Sequence, residues 1–135
     1  MDRKQPVFFA AALATALGAF LFAGCGSGSD GERAESVTGP VAKIVVVDME
    51  NCCDCTRERT ECTMAALSRA LESSDIPVER LHVDTQEDAV SGYRAKKAFM
   101  VIPAVYFLAE DGGVLGLLQG EVKEEEVLAA LGLVE

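Results

Sequence analysis

The apolar positions of the chain fall into blocks of different period. Ile44-Val45-Val46-Val47 is an unbroken β-branched run within residues 41–49. It predicts a strand buried on both faces, as in a sheet covered by helices. Residues 56–73 contain neither Gly nor Pro. Met64, Ala66, Leu67, Ala70 and Leu71 share one broad helical face there, with Arg57, Glu61, Ser68 and Glu72 opposite. This is the pattern of an amphipathic helix, ended by Ser73-Ser74-Asp75-Ile76-Pro77. Residues 78–84 alternate imperfectly through Val78, Leu81 and Val83 and predict a second strand. Residues 86–100 predict a helix with Val90 and Tyr93 inward. Residues 104–109 form a strongly apolar strand, Asp111-Gly112-Gly113 a tight hairpin turn, and residues 114–119 its antiparallel return. Residues 123–133 predict a final helix with Val127, Leu128 and Leu131 inward. Glu124, Glu125 and Glu126 in its first turn are a solvated helix start, where the dipole favours acid. The order β-α-β-α-β-β-α predicts an α/β fold: a central mixed four-stranded sheet flanked by helices, with parallel pairing at the crossovers and an antiparallel hairpin last.

The first forty residues follow another logic. Arg3 and Lys4 precede an apolar stretch from Val7 to Gly24, in which only Thr15 is polar. A charged start, an apolar middle and small residues before a cut make a secretory signal. Leu21-Phe22-Ala23-Gly24-Cys25 resembles the lipobox of bacterial lipoproteins, in which the cysteine is lipidated and becomes N-terminal. Phe22 departs from the usual Leu. The resemblance implies a signal peptide at 1–24, acyl chains (palmitate among them) on Cys25, and a protein lipid-anchored to a membrane of the bacterial cell envelope, facing the periplasm or exterior. The alternative is an uncleaved transmembrane anchor, since the stretch is just long enough to span a bilayer. Gly26 to Pro40 is rich in Gly, Ser and charge. Residues 25–40 are therefore expected to form a flexible tether, spanning on the order of 20 Å as a coil. Residues 41–135 are left as the folded domain.

Composition narrows the function. With 12 Lys+Arg against 22 Asp+Glu the net charge is -10, a poor match for a nucleic-acid backbone, so no nucleic-acid partner is expected. Half the chain is hydrophobic, enough to offset the entropy of folding. Four of the 5 cysteines lie between Cys52 and Cys62, which indicates a site and not a disulfide framework.

Cys52 and Cys55 have Cys-X-X-Cys spacing, directly after the first strand and at the opening of the first helix. Unpaired N–H groups and the positive end of the dipole lower a thiol pKa there. Cys52 is the expected attacking thiol, and Cys55, one turn on, the resolving one. Cys53 and Cys62 are possible auxiliary thiols. Cys53 is expected to be exposed. Cys62 borders the apolar helix face beside Ala66 and is expected to be a buried, inert thiol, about 10 Å along the axis from Cys55.

With this strand–Cys-X-X-Cys–helix unit, Ile102-Pro103 before the third strand and Gly120 after the hairpin, the region 41–135 resembles the thioredoxin-like family. The resemblance implies thiol–disulfide exchange with protein substrates, a recycling redox partner and no cofactor. It implies further that the bond to Pro103 is cis and that Ile102 and Pro103 bind substrate; the alternative is a trans proline opening an edge strand. The chain departs from the family at Asn51, in place of Trp, and at Cys53-Asp54, in place of Gly-Pro. The family's buried acid is not evident, and Asp48 is taken to end the strand. Two other readings stand beside this one. Cys52, Cys53, Cys55 and Cys62 could supply four thiolates to Cu, Zn or an iron–sulfur cluster, although their spacing matches no usual pattern. Alternatively, the domain is a redox-silent interaction module. His82, the single histidine, is expected to pack and not to ligate.

Overall fold

The computed structural model describes residues 37–133. The signal peptide, Cys25 and the tether as far as residue 36 lie outside the described residues. The elements, in chain order, are β1 (Lys43–Asp48), α1 (Asp54–Ala70), β2 (Val78–His82), α2 (Glu87–Lys96), β3 (Ala104–Leu108), β4 (Val114–Gln119) and α3 (Glu124–Ala130). The four strands form one sheet in the order β2-β1-β3-β4. β1 pairs with β2 in parallel, while β1–β3 and β3–β4 are antiparallel. With three helices against a mixed four-stranded sheet, this is the thioredoxin-like fold that the resemblance implies.

β1 shows why the chain folds this way. All of Ile44–Val47 are fully buried, and alternate residues serve opposite faces. Ile44 and Val46 meet Leu67 and Ala70 of α1 and its C-cap Leu71, Val127 of α3, and Val105 and Phe107 of β3. Val45 and Val47 meet Leu81, Val90 of α2, Tyr106 and Leu117. Each such side chain contributes about 1.5–3 kcal/mol through its removal from water. The helices therefore sit on both faces, with α1 and α3 on one and α2 on the other.

Two boundaries and one strand pairing differ from the sequence expectation. α2 stops at Lys96, four residues short of the predicted end, because Lys97 is already extended (φ -153°, ψ 116°). The Tyr106 phenol, buried in the sheet, donates a 2.6 Å hydrogen bond to the Lys97 carbonyl and fixes that end. The antiparallel β1–β3 pairing is the second difference: helix α2 returns the chain to the far side of β1 without giving a parallel neighbour. The third lies at the tether. Val37 packs against the α1/α3 side of the core. A Cβ on Gly116 would stand 2.5 Å from a Val37 methyl, so residues 37–40 belong to the folded body. The hairpin is as expected: Gly112 takes φ +80°, which a side chain would resist, and the Asp111 carboxylate accepts the Gly113 N–H at 2.9 Å.

Burial pushes the Tyr106 phenol up to about 12 from an ordinary 10.0. The folded state therefore holds that proton where the unfolded chain has lost it, and this contribution to stability is present below about pH 10 and lost as pH rises through about 12. Tyr106→Phe is expected to cost about 1 kcal/mol, through the lost hydrogen bond, and to flatten the alkaline fall in stability. Denaturant midpoints at neutral pH and above pH 10 measure both effects.

Candidate functional site

Register assembles the site. Asp48, the last residue of β1, pairs with His82, the last of β2, while Val47 pairs with Ala104, the first of β3. One end of the sheet therefore presents the 49–53 loop, residues 82–84 and Ile102-Pro103 together. Asp84 holds the loop. Its carboxylate accepts the N–H groups of Glu50 and Asn51, each at 2.9 Å, and the Asn51 side-chain amide at 2.9 Å. These donors, the Glu50 N–H first, lower the Asp84 carboxyl to about 2.

The loop delivers Cys53 to the N-cap of α1, so Asp54, Cys55 and Thr56 occupy the first three helical positions. The Cys53 carbonyl accepts the N–H groups of Thr56 and Arg57 at 3.1 Å. The Cys53 and Cys55 sulfurs are 2.7 Å apart, and the Thr56 hydroxyl is 3.3 Å from Cys53 Sγ. Both are free thiols in direct contact. The Cys55 thiol, and after it the Thr56 hydroxyl and N–H, bring the Cys53 thiol down from 9.0 to about 7. Cys53, with its thiol so lowered, stands exposed at the mouth of a helix.

The thiols in contact are therefore those of Cys53 and Cys55, while Cys52, of the expected Cys52–Cys55 pair, stands one residue before the helix cap. Cys52 is half-buried and lines a separate cleft of about 260 Å³ with Met49, Arg57, Thr60, Arg80 and His82. Sequence spacing ranks Cys52 and Cys55 together; which cysteine becomes the cap depends on where the loop leaves β1 and on the Asp84 clamp. Cys62 is exposed, contrary to expectation. It borders an open groove with Ala65, Arg69 and Val122. Ala66 and Thr63 are buried there, the Thr63 hydroxyl accepting the Val122 N–H at 3.0 Å, and Cys62 stands at the rim of the covered face. Among the described residues no three His, Cys, Asp or Glu side chains gather to hold a metal ion, so the four thiols are not assembled as one ligand set.

Asp48 does more than end its strand. It is fully buried, and its two oxygens receive different partners: Arg80 Nε at 2.7 Å, with a second guanidinium contact, on Oδ2, and His82 Nδ1 on Oδ1. A buried carboxylate costs several kcal/mol unless its oxygens are satisfied, and here both are. The chain therefore has a buried acid beneath the cysteine loop, and His82 bonds to it instead of merely packing. The sequence signal was a lone acid closing an apolar strand, with Arg80 and His82 at alternate positions of a second strand. Only the parallel register joins them.

Ile102–Pro103 is a cis peptide, as the resemblance implies, and it opens an interior strand, not an edge. Pro103 is buried and Ile102 half-buried. The Pro103 carbonyl accepts the Gly120 N–H at 2.8 Å. Gln119 Oε1 accepts the N–H groups of Met100 at 2.6 Å and Val101 at 3.2 Å. This holds two exposed apolar side chains, Met100 at 84% and Val101 at 46%, beside the proline.

No protein-family model matches the chain, and no curated protein sequence matches it. Among solved structures it is similar to the thioredoxin of Fasciola hepatica, with 18% identity, 68% of this chain and 81% of that chain covered, and a TM-score of 0.48.

Two outcomes follow from the loop geometry. Thr56→Val removes a donor to the Cys53 sulfur, so the midpoint of the pH profile of Cys53 alkylation is expected to rise from about 7 toward the ordinary 9.0. Because its folded pKa is depressed, the Asp84 clamp is in force above about pH 3.8 and is lost as pH falls through about 2. Asp84→Ala is expected to raise amide hydrogen exchange at Glu50 and Asn51 at neutral pH by roughly tenfold, the scale of one lost charge-assisted hydrogen bond. Exchange followed by NMR measures it.

Proposed function

We propose that the chain is a thiol–disulfide oxidoreductase acting on extracytoplasmic proteins, with Cys53 as the attacking thiol and Cys55 as the resolving one. The observation that carries this reading is the 2.7 Å contact between the two sulfurs at the N-cap of α1, on an exposed loop. The Cys53 thiolate attacks one sulfur of a substrate disulfide, breaks that bond and releases a substrate thiolate. Cys55, losing its proton, then attacks Cys53 Sγ and expels the second substrate thiolate. The substrate gains two electrons, and the chain is left with a Cys53–Cys55 disulfide. A second dithiol protein must reduce that disulfide again, and run backwards the same steps oxidise a substrate.

The surroundings support the same reading. Ile102 and Pro103 open β3 at the end of the sheet that carries the cysteine loop, and Met100 and Val101 offer an apolar rim to an unfolded peptide. Anchoring belongs to the proposal as well: acyl chains on Cys25 would hold the domain in the cell envelope, with the residues that follow as its leash.

Turnover of insulin disulfides by dithiothreitol-coupled reduction tests the assignment. Cys53→Ser is expected to lower turnover at least a hundredfold. Cys55→Ser should accumulate a mixed disulfide with substrate, visible by mass, while Cys62→Ser stays within twofold of the parent. Undiminished turnover in Cys53→Ser would overturn the assignment. Acylation is checked separately, by loss of incorporated radiolabelled palmitate in Cys25→Ala.

A further inference from the structure

The adjacent Cys52 has no part in the two-thiol exchange, yet it sits one residue before the helix cap. Its neighbour Cys53 has φ -65° and ψ 159°. That φ is already helical, so rotation about ψ alone would bring Cys53 into the helix, where ψ is about -42°. The N-cap would then be Cys52, and Cys55 would become the third helical residue, one turn from it. In either arrangement the first-turn N–H groups lack helical partners, so the shift breaks no i→i−4 bond of the helix. Cys52 is also not locked in its cleft. The contact to its backbone is a 3.5 Å hydrogen bond from an Arg57 that is exposed and shared with Asp54.

Building on the exchange reading above, we propose that Cys52, Cys53 and Cys55 form an internal relay in which the oxidised pair moves from Cys53–Cys55 to Cys52–Cys55. The Cys52 thiol gives its proton to the solvent at the cleft mouth and attacks Cys55 Sγ. The Cys52–Cys55 bond forms, the Cys53–Cys55 bond breaks, and Cys53 departs as a thiolate. No electrons are gained or lost. Cys53, at the N-terminus of a helix with the Thr56 hydroxyl 3.3 Å from its sulfur, is a good leaving group for this step.

The relay widens the substrate class. A two-thiol chain has no nucleophile left once oxidised, whereas this chain keeps one. The freed Cys53 thiolate can open a wrongly paired disulfide in a protein. The substrate thiolate so released attacks another substrate disulfide, a further substrate thiolate expels Cys53, and the chain returns unchanged. The substrates of the oxidised form are therefore polypeptides with misplaced disulfides, rearranged without an external oxidant or reductant.

Trypsin makes the relay measurable. Cleavage after Lys43 and Arg57 places Cys52, Cys53 and Cys55 in one peptide and leaves Cys62 in another. The full chain is oxidised with diamide and quenched in acid at intervals. Free thiols are blocked with N-ethylmaleimide, disulfides are reduced and labelled with iodoacetamide, and fragment ions locate each label. The expected result is a free thiol first at Cys52 and then, at constant total disulfide, increasingly at Cys53. Alkylation of the oxidised chain at neutral pH should fall at least tenfold at Cys53 in Cys52→Ser. If the free thiol stays at Cys52 throughout, the relay is overturned and the Cys53–Cys55 exchange stands. If it is at Cys53 from the first interval, both the relay and the Cys53–Cys55 pairing are overturned. If no disulfide forms within this peptide, the exchange reading itself fails.

Discussion

Burial of β1 on both faces is the constraint on which the site depends. Four consecutive β-branched residues with no exposed surface leave the strand a single register against β2 and β3. A slip of one residue would exchange the two apolar sets between faces with different helices. Since β1 cannot slide, Asp48 is placed at the sheet end, below the surface, and the chain must emerge there. The loop that follows is short. It is gripped from outside by Asp84, which belongs to the segment after the neighbouring strand. Together, a fixed strand and a gripped loop bring the cysteines to the start of α1, with Cys53 at the cap in the reduced arrangement.

The electrostatics around that sulfur are local. The chain is acidic overall, and Asp54 and Glu58 lie in the first helical turns. The Cys53 thiol is nevertheless lowered, because the Cys55 thiol and the Thr56 hydroxyl touch the sulfur directly. Short donors outweigh solvent-screened charges on an exposed turn. Asp48 is the opposite case. It is a charge with no solvent, made tolerable only by Arg80 and His82 bonding to separate oxygens. Two carboxylates thus frame the loop, one sealed beneath it and one exposed beside it.

Most of the fold was legible because period and punctuation agreed: β4 has the predicted bounds, and the Gly-Gly turn joins the strands it separates. What escaped was tertiary. The end of α2 is fixed by Tyr106, a residue ten positions beyond it, through a hydroxyl that no helical pattern announces. Cys62 lies at the rim of the covered helical face, exposed although the adjacent Thr63 is buried. At the site, the presence of a thiol centre could be read from the cysteine spacing. The contact between Cys53 and Cys55 could not, because it is set by one backbone angle and by a carboxylate more than thirty residues away. The link between Asp48 and His82 likewise exists only once two strands run side by side.

The direction of β1 gives the molecule two unlike poles. Val37 and its neighbours are docked by the start of the strand, and the sulfurs stand past its finish, on the order of 20 Å away for six residues of extended chain. A pull applied through the N-terminal residues therefore acts at the blunt pole. It would act away from the end of the sheet that carries the cysteines, like a tool held by its handle.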